Sequence, residues 1–307
     1  AVNSVGSSVS PSLNVDGDGD GFVDNVIFVM QGDPDPVWRS MLWPQQWFLE
    51  FMPAVFETVY INNKIVRTYN IQLSNMLIDP VNSTIAGTGV LCHEFSHSIG
   101  FPDLYHYNGD GFTPVGPWEV MGSTGTIPQP HFTFAKQKYA GWTGSIPEIT
   151  PTANPATYTL TAINNSPFAA YKIASSMPNQ FYVLEYRKST APYGSSLPGS
   201  GLIVYRVTQY YQIGTMPFPV EGNEEGPPDE FYVYRPFDHG GSYNGLINDA
   251  HLSLSAGRRS FHNLTSAYPW LYTLAGEEYL DGNLQLTDII ENADGTISFT
   301  VHSSNLK

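Results

Sequence analysis

Two histidines four residues apart with a glutamate beside the first, His93-Glu94-Phe-Ser-His97, are the residues of this chain whose types and spacing point most directly to chemistry. On a helix, residues four apart stand one turn above the other on the same face, so both imidazoles can reach one metal ion. Glu94 is then a candidate general base. Three residues beyond His97, Gly100 can take the left-handed conformation that ends a helix, which turns the chain back and offers Asp103 as a third ligand. Three protein ligands with an open fourth position make a catalytic zinc site, whereas structural zinc is usually enclosed by four, often cysteines. The chain has one cysteine, Cys92. A solvated pair on a helix face is the competing reading of the pentapeptide alone, and the Gly and Asp at the following offsets weigh against it. Glu119, His106 and Tyr105 stand near enough in sequence to compete with Asp103 for the third position.

A second group of ligand-type residues lies upstream. Asp16-Gly-Asp18-Gly-Asp20-Gly-Phe22-Val-Asp24 matches the first nine positions of a calcium loop, with alternate carboxylates, a turn-forming glycine sixth, a backbone carbonyl from Phe22 seventh and a carboxylate ninth. The twelfth position is Ile27 rather than Glu, and a strand rather than a helix comes next, so this is no EF-hand. Four carboxylates within nine residues repel one another unless a cation sits among them, which makes calcium the expected occupant and a solvated acidic turn the alternative.

The pattern His93-Glu94-x-x-His97-x-x-Gly100-x-x-Asp103, followed by Trp118-Glu-Val-Met121-Gly-Ser, resembles the extended zinc motif and later methionine turn of metzincins. More closely, the run Cys-His-Glu-Phe-Ser-His, the Phe-Pro-Asp-Leu-Tyr after it and the Trp-x-x-Met-Gly-Ser are similar to the immune-inhibitor-A type of secreted bacterial metallopeptidase. That resemblance implies a zinc peptidase with Met121 as the hydrophobic floor beneath the metal. It also implies an Asp-Gly segment leading into a core strand, and a helix ending in Gly-Trp. The departure from most metzincins is Asp103, where a third histidine is commoner; aspartate is a competent zinc ligand.

The elements that must position these residues are legible in the surrounding pattern. Residues 1–15 read as a terminal arm too sparse in apolar residues for a helix. Residues 26–30 are a short apolar run, as in a buried strand, and 31–50 a Pro-broken, Trp-rich loop. Residues 55–61 and 65–73 read as strands around Asn62-Asn63-Lys64, the second either an upper-rim edge strand that pairs with extended substrate or half of an interior hairpin. Asn82-Ser83 offers an N-cap to the motif helix. Residues 105–117 are a loop, and 131–142 a helix ending at Gly141. From about 148, short strand-like runs at 157–163, 169–173, 180–187, 201–207, 231–234 and 296–301 alternate with Pro, Gly and Asn turns. The expected class is α+β: a metzincin-like zinc peptidase subdomain with mixed sheet and active-site helix over 1–147, then a β-sandwich-like all-β region over 148–307 packed on it.

Composition bounds what such a chain does. At 307 residues it can bury a sizeable core, and 13 Lys+Arg against 28 Asp+Glu give a net charge of −15, which disfavours nucleic acid and anionic membranes and suits cation binding. No run approaches the roughly 18 apolar residues of a membrane span. The start at Ala-Val-Asn shows no basic-then-apolar leader, so either a leader and pro-segment have been removed or the start is artificial. Few lysines, many Tyr, Gly, Pro, Ser and Asn, and the calcium loop favour a secreted protein. The leading expectation is zinc-dependent hydrolysis of peptide bonds in extracellular proteins, with Glu94 as base and the oxyanion steadied by Tyr105, His106, His131 or Tyr139. The competing classes are a non-enzymatic, calcium-stabilised surface or adhesion module derived from a peptidase, and a zinc hydrolase acting on a non-peptide amide. Glu185 and the scattered His239, His251 and His262 read as structural.

Overall fold

The computed structural model describes residues 2–32, 43–49, 58–78, 87–152, 154–163, 169–190, 193–239, 244–280 and 284–303. The chain divides into two compact units, residues 1–100 and 101–307. Compactness thus cuts between Gly100 and Phe101, while composition changes near 147/148.

The first unit holds β1 (Ile27–Met30), β2 (Gln45–Phe48), β3 (Tyr60–Ile61), β4 (Lys64–Ile65), β5 (Thr68–Leu73) and the motif helix Gly89–Ile99. Its sheet has the order β1-β5-β2, with β1 parallel to β5 (Ile27 opposite Asn70) and β2 antiparallel to it (Gln45 opposite Ile71). A mixed sheet is therefore present, but several expectations change. The stretch expected as one strand over 65–73 breaks at Val66-Arg67, because the Val66 N–H turns to the Val59 carbonyl and the Arg67 carbonyl to the Leu49 N–H. Its main part, β5, is the central strand rather than an edge. The edge beside it is β2, inside the segment expected to be a loop; Trp47 and Phe48 give it β-forming residues that the neighbouring prolines obscure. Strand β1 is not buried: Ile27 is 40% and Val29 59% exposed. The terminal arm begins with a single helical turn, Val2–Val5, whose Val2 joins Val23, Val59, Ile61 and Val66 in a small core. The β3–β4 hairpin turns through Asn62 and Asn63 at φ 49° and 65°, the left-handed region that asparagine tolerates.

The second unit is mostly antiparallel sheet. Its strands are β6 (Ala156–Leu160), β7 (Ala170–Ala174), β8 (Gln180–Arg187), β9 (Gly201–Thr208), β10 (Tyr210–Ile213), β11 (Met216–Pro219), β12 (Phe231–Val233), β13 (Phe261–His262), β14 (Leu271–Tyr272), β15 (Glu278–Tyr279), β16 (Leu284–Glu291) and β17 (Ile297–Ser303). One four-stranded sheet runs β12-β9-β8-β7 and another β13-β16-β17-β6. Leu184, Leu202, Val204 and Tyr232 of the first share a core cluster with Leu160, Leu286, Ile297 and Phe299 of the second. Every residue of β9 is buried, as in a strand covered on both faces. The helix expected over 131–142 is an α-turn, Thr133–Ala135, followed by a π-helical stretch, Lys136–Ala140, that ends at Gly141 with φ 64°. Among the described residues no helix is long and apolar enough to cross a membrane.

Candidate metal centre

The motif helix spans eleven residues. The N-cap expected at Asn82-Ser83 lies outside the described residues; the helix starts after Thr88, which makes no side-chain capping bond. Its far end is the one the motif requires. Gly100 adopts φ 101°, ψ 10°, and its N–H returns to the carbonyls of Ser96 and His97. A side chain is unfavourable at such a φ, and the glycine removes that cost. Strand β5 holds the same end in place, for the buried Asn70 amide donates to Ser98 Oγ and to Asn25 Oδ1, each at 2.9 Å. Sequence reasoning does not single out Asn70, because Thr68 and Gln72 make the same strand polar at other positions too.

On this helix His93 and Glu94 are buried and His97 half-buried. The two imidazoles meet edge to face with centroids 4.9 Å apart. Potential ligand atoms of His93, Glu94 and His97 all lie within 4.8 Å of one another. Two imidazoles and a carboxylate converging in a partly buried place are a donor set that suits a divalent metal of the zinc type.

Asp103 belongs to the second unit, where it is 4% exposed and accepts a hydrogen bond from the Tyr107 hydroxyl on Oδ2 at 2.5 Å. The turn at Met121 lies against this segment: Leu104 N–H donates to the Met121 carbonyl at 3.0 Å, and Met121 is fully buried. The turn is drawn tight by the Glu119 carbonyl, which accepts from Gly122 and Ser123 N–H groups at 3.0 and 3.2 Å. A Cβ on Gly122 would come within 2.2 Å of Val115, so only glycine fits.

Two of the residues that compete with Asp103 on spacing, Glu119 and His106, have other partners. Glu119 is fully buried; one oxygen accepts the Met121 N–H and the other meets His131 Nδ1 at 2.5 Å. His131 stacks on Phe101 with centroids 4.0 Å apart. His106 is held between Asp110 Oδ2 at 2.8 Å and Asp229 Oδ1 at 2.6 Å. Burial alone would lower its pKa, but the two carboxylates outweigh burial and hold it above the ordinary histidine value. Tyr139 gives its hydroxyl to the buried Glu230. Of the four oxyanion candidates, His106, His131 and Tyr139 are thus each engaged by a carboxylate. Glu185 accepts from Thr133 N–H, the Tyr205 hydroxyl and Arg187, which is a structural role in the middle of a sheet.

In the upstream loop, carboxylate oxygens of Asp16, Asp18 and Asp24 lie within 4.8 Å of one another, while Asp20 stands outside that group and turns its Oδ1 to the Phe22 N–H at 2.8 Å. Asp16 gathers the loop by accepting from Gly19 and Gly21 N–H groups at 2.8 and 3.1 Å. Lys64, at the β3–β4 hairpin and 48 residues away in sequence, reaches Asp16 Oδ2 at 2.5 Å, a contact that no local pattern announces. The lysine contact first, and the loop N–H groups after it, hold the Asp16 carboxyl below its usual range despite desolvation. Phe22 is fixed from the other side by Arg67, whose guanidinium lies 4.0 Å from the ring centroid.

No curated protein sequence matches the chain. Residues 17–142 do match a family described as immune inhibitor A peptidase M6, catalytic domain, a stretch that runs from the aspartate loop through the histidine motif and the turn at Met121 to the Gly141-Trp142 end of the short helix. Over these residues the chain is similar to the catalytic domain of immune-inhibitor-A-type peptidases.

Proposed function

We propose that the protein is a secreted zinc-dependent endopeptidase acting on extracellular proteins. The observation that carries this reading is the convergence of His93, Glu94 and His97 donor atoms within 4.8 Å, inside a segment that matches a peptidase catalytic domain. His93 and His97 are the proposed zinc ligands, with Asp103 the third on the strength of its spacing after Gly100. A zinc ion held by these residues would supply a Lewis acid for the scissile carbonyl and would bring the pKa of water near neutrality. Glu94 takes the proton of the attacking water and passes it to the leaving amine. Met121 is the floor of a metzincin-like site. Strand β2, the antiparallel edge, is proposed as the strand that pairs with extended substrate. The functional division is a catalytic region over 1–147 and a β-sandwich-like region over 148–307. Asp16, Asp18, Asp20, the Phe22 carbonyl and Asp24 are proposed to take calcium as a structural ion.

The test is Glu94→Ala against wild type, with zinc content and casein hydrolysis measured on both. The variant should retain stoichiometric zinc and lose at least the roughly 10²- to 10⁴-fold that positioned proton transfer contributes. Chelation of the wild type should abolish the same activity and added zinc restore it. Equal rates for the two proteins would remove Glu94 from the chemistry; zinc binding with no cleavage of any peptide by either would overturn the peptidase reading.

A further inference from the structure

The motif helix buries no large apolar side chain. Its buried residues are Gly89, His93, Glu94 and Ser96, while Phe95 is 42% exposed. The helix packs on β2 and β5, yet apolar burial is non-directional and does not by itself fix where a helix stands along a strand. Asn70 supplies a directional contact. Fully buried in the middle of β5, it lies opposite Ile27 of β1 on one side and Gln46 of β2 on the other. Its N–H donates to the Val26 carbonyl at 2.8 Å, and its side-chain amide donates to Asn25 Oδ1 and Ser98 Oγ, each at 2.9 Å. Ser98 directly follows His97 in the last turn of the helix. Asparagine is a poor strand former, and a buried amide costs stability unless it is bonded. The position thus gives up strand-forming tendency for a bond that has a direction.

We propose that Asn70 is a positioning residue for peptide hydrolysis: through Ser98 it sets where the motif helix, and Glu94 with it, stands along the sheet whose β2 edge pairs with extended substrate. The proposal rests on the endopeptidase reading and on β2 as the substrate strand. His93, Glu94 and His97 ride together on one helix, so a displaced helix keeps the spacing of its two histidines and changes their distance from a peptide bound at β2. Misplacement of about 1 Å between reacting groups can cost roughly 10²-fold in rate.

The experiment compares wild type, Ser98→Ala, Asn70→Val and the double variant as full chains. Alanine suits a helix and valine a buried strand, so both substitutions keep the fold. In the zinc-free proteins, amide exchange followed by mass spectrometry should be faster over residues 96–100 in each variant, with the melting temperature unchanged. In the zinc-loaded proteins, kcat for casein should fall by about 10- to 100-fold with KM and zinc content unchanged. The double variant should lose no more than the larger single loss, because all three variants lack the same contact. Unaltered exchange in Ser98→Ala, or single losses that multiply in the double variant, would overturn the proposal. A lower zinc-free melting temperature or a loss of zinc that accounts for the fall in activity would assign the contact to folding or to metal retention and overturn it as well. If the wild type cleaves no peptide, the peptidase reading falls and the proposal with it; if the wild type cleaves and the variants match its kcat, the proposal alone falls.

Discussion

Among its described residues the first unit contains two groups of ligand-type side chains, one on the motif helix and one in the aspartate loop, and they are built on opposite principles. His93, Glu94 and His97 are placed by backbone hydrogen bonds of a helix, with His93 and Glu94 buried. The helix backbone sets their spacing, so their arrangement needs no ion to exist. Asp16, Asp18 and Asp24 are placed by loop N–H groups donating to carboxylates, with Asp18 and Asp24 exposed. Like charges this close are unfavourable, and the protein brings Lys64 to one of them. A pair of ring nitrogens preset by a helix is suited to holding a metal for chemistry. A charged loop with its own ammonium partner is suited to responding to cations by changing stability.

The largest effect that would break this comparison is loss of zinc. His97→Ala should leave no stoichiometric zinc after dialysis, because a three-ligand site loses one of its defining donors. Asp18→Asn should leave zinc content unchanged. Metal analysis of the two variants decides it: equal zinc loss would mean that the two groups are not independent.

A smaller effect concerns the residue that ends the motif helix. Nothing lies within 4 Å of a Cβ built on Gly100, so Gly100→Ala meets no steric neighbour and the cost is the left-handed backbone alone. That is about 1–2 kcal/mol for an L-residue, and it should show as a lower denaturant midpoint with an unchanged slope. An unaltered midpoint would mean that the helix ends equally well without glycine.

How much of this is readable from sequence depends on the range of the interactions. The helix, its Gly100 terminus and the ligand spacing are legible because they are set within about ten residues by backbone geometry. The tight turn around Met121 is legible only through its resemblance to a known pattern. The commitments of Glu119 to His131, of His106 to Asp229 and of Tyr139 to Glu230 are hidden, since their partners lie 12, 123 and 91 residues away. Strand β2 is masked because prolines and tryptophans in the segment read as a loop. The central place of β5 is masked too, because alternation shows that a strand exists but not which neighbours it has. In the second unit, β8 and β9 are clear as apolar runs. The long β16 is obscured because its alternation is interrupted by a register shift between Thr287 and Ile290, with Asp288 at φ 52°.

The smallest expected effect tests whether the aspartate loop takes calcium or is balanced by the protein alone. Lys64 is 39% exposed at its side chain and Asp16 only 1%, so the lysine offers a removable positive charge to a fixed carboxylate. The Asp16 carboxyl has a folded-state pKa below its unfolded value. Its contribution to stability is therefore present above the unfolded value and lost as the pH falls through the folded one, on the acid side of the ordinary carboxylate range. Lys64→Met should reduce that acid-side loss and lower the melting temperature slightly at neutral pH. It should also leave the loop one charge more negative, so that a calcium ion meets no competing ammonium. Calcium bound only by the folded state raises the melting temperature by mass action. The rise should reach half its extent at lower calcium in Lys64→Met than in wild type, when both are stripped of metal and titrated at fixed ionic strength. A melting temperature indifferent to calcium in both proteins would show that Lys64 and the loop N–H groups balance the aspartates by themselves. A rise with the same midpoint in both would place the calcium elsewhere.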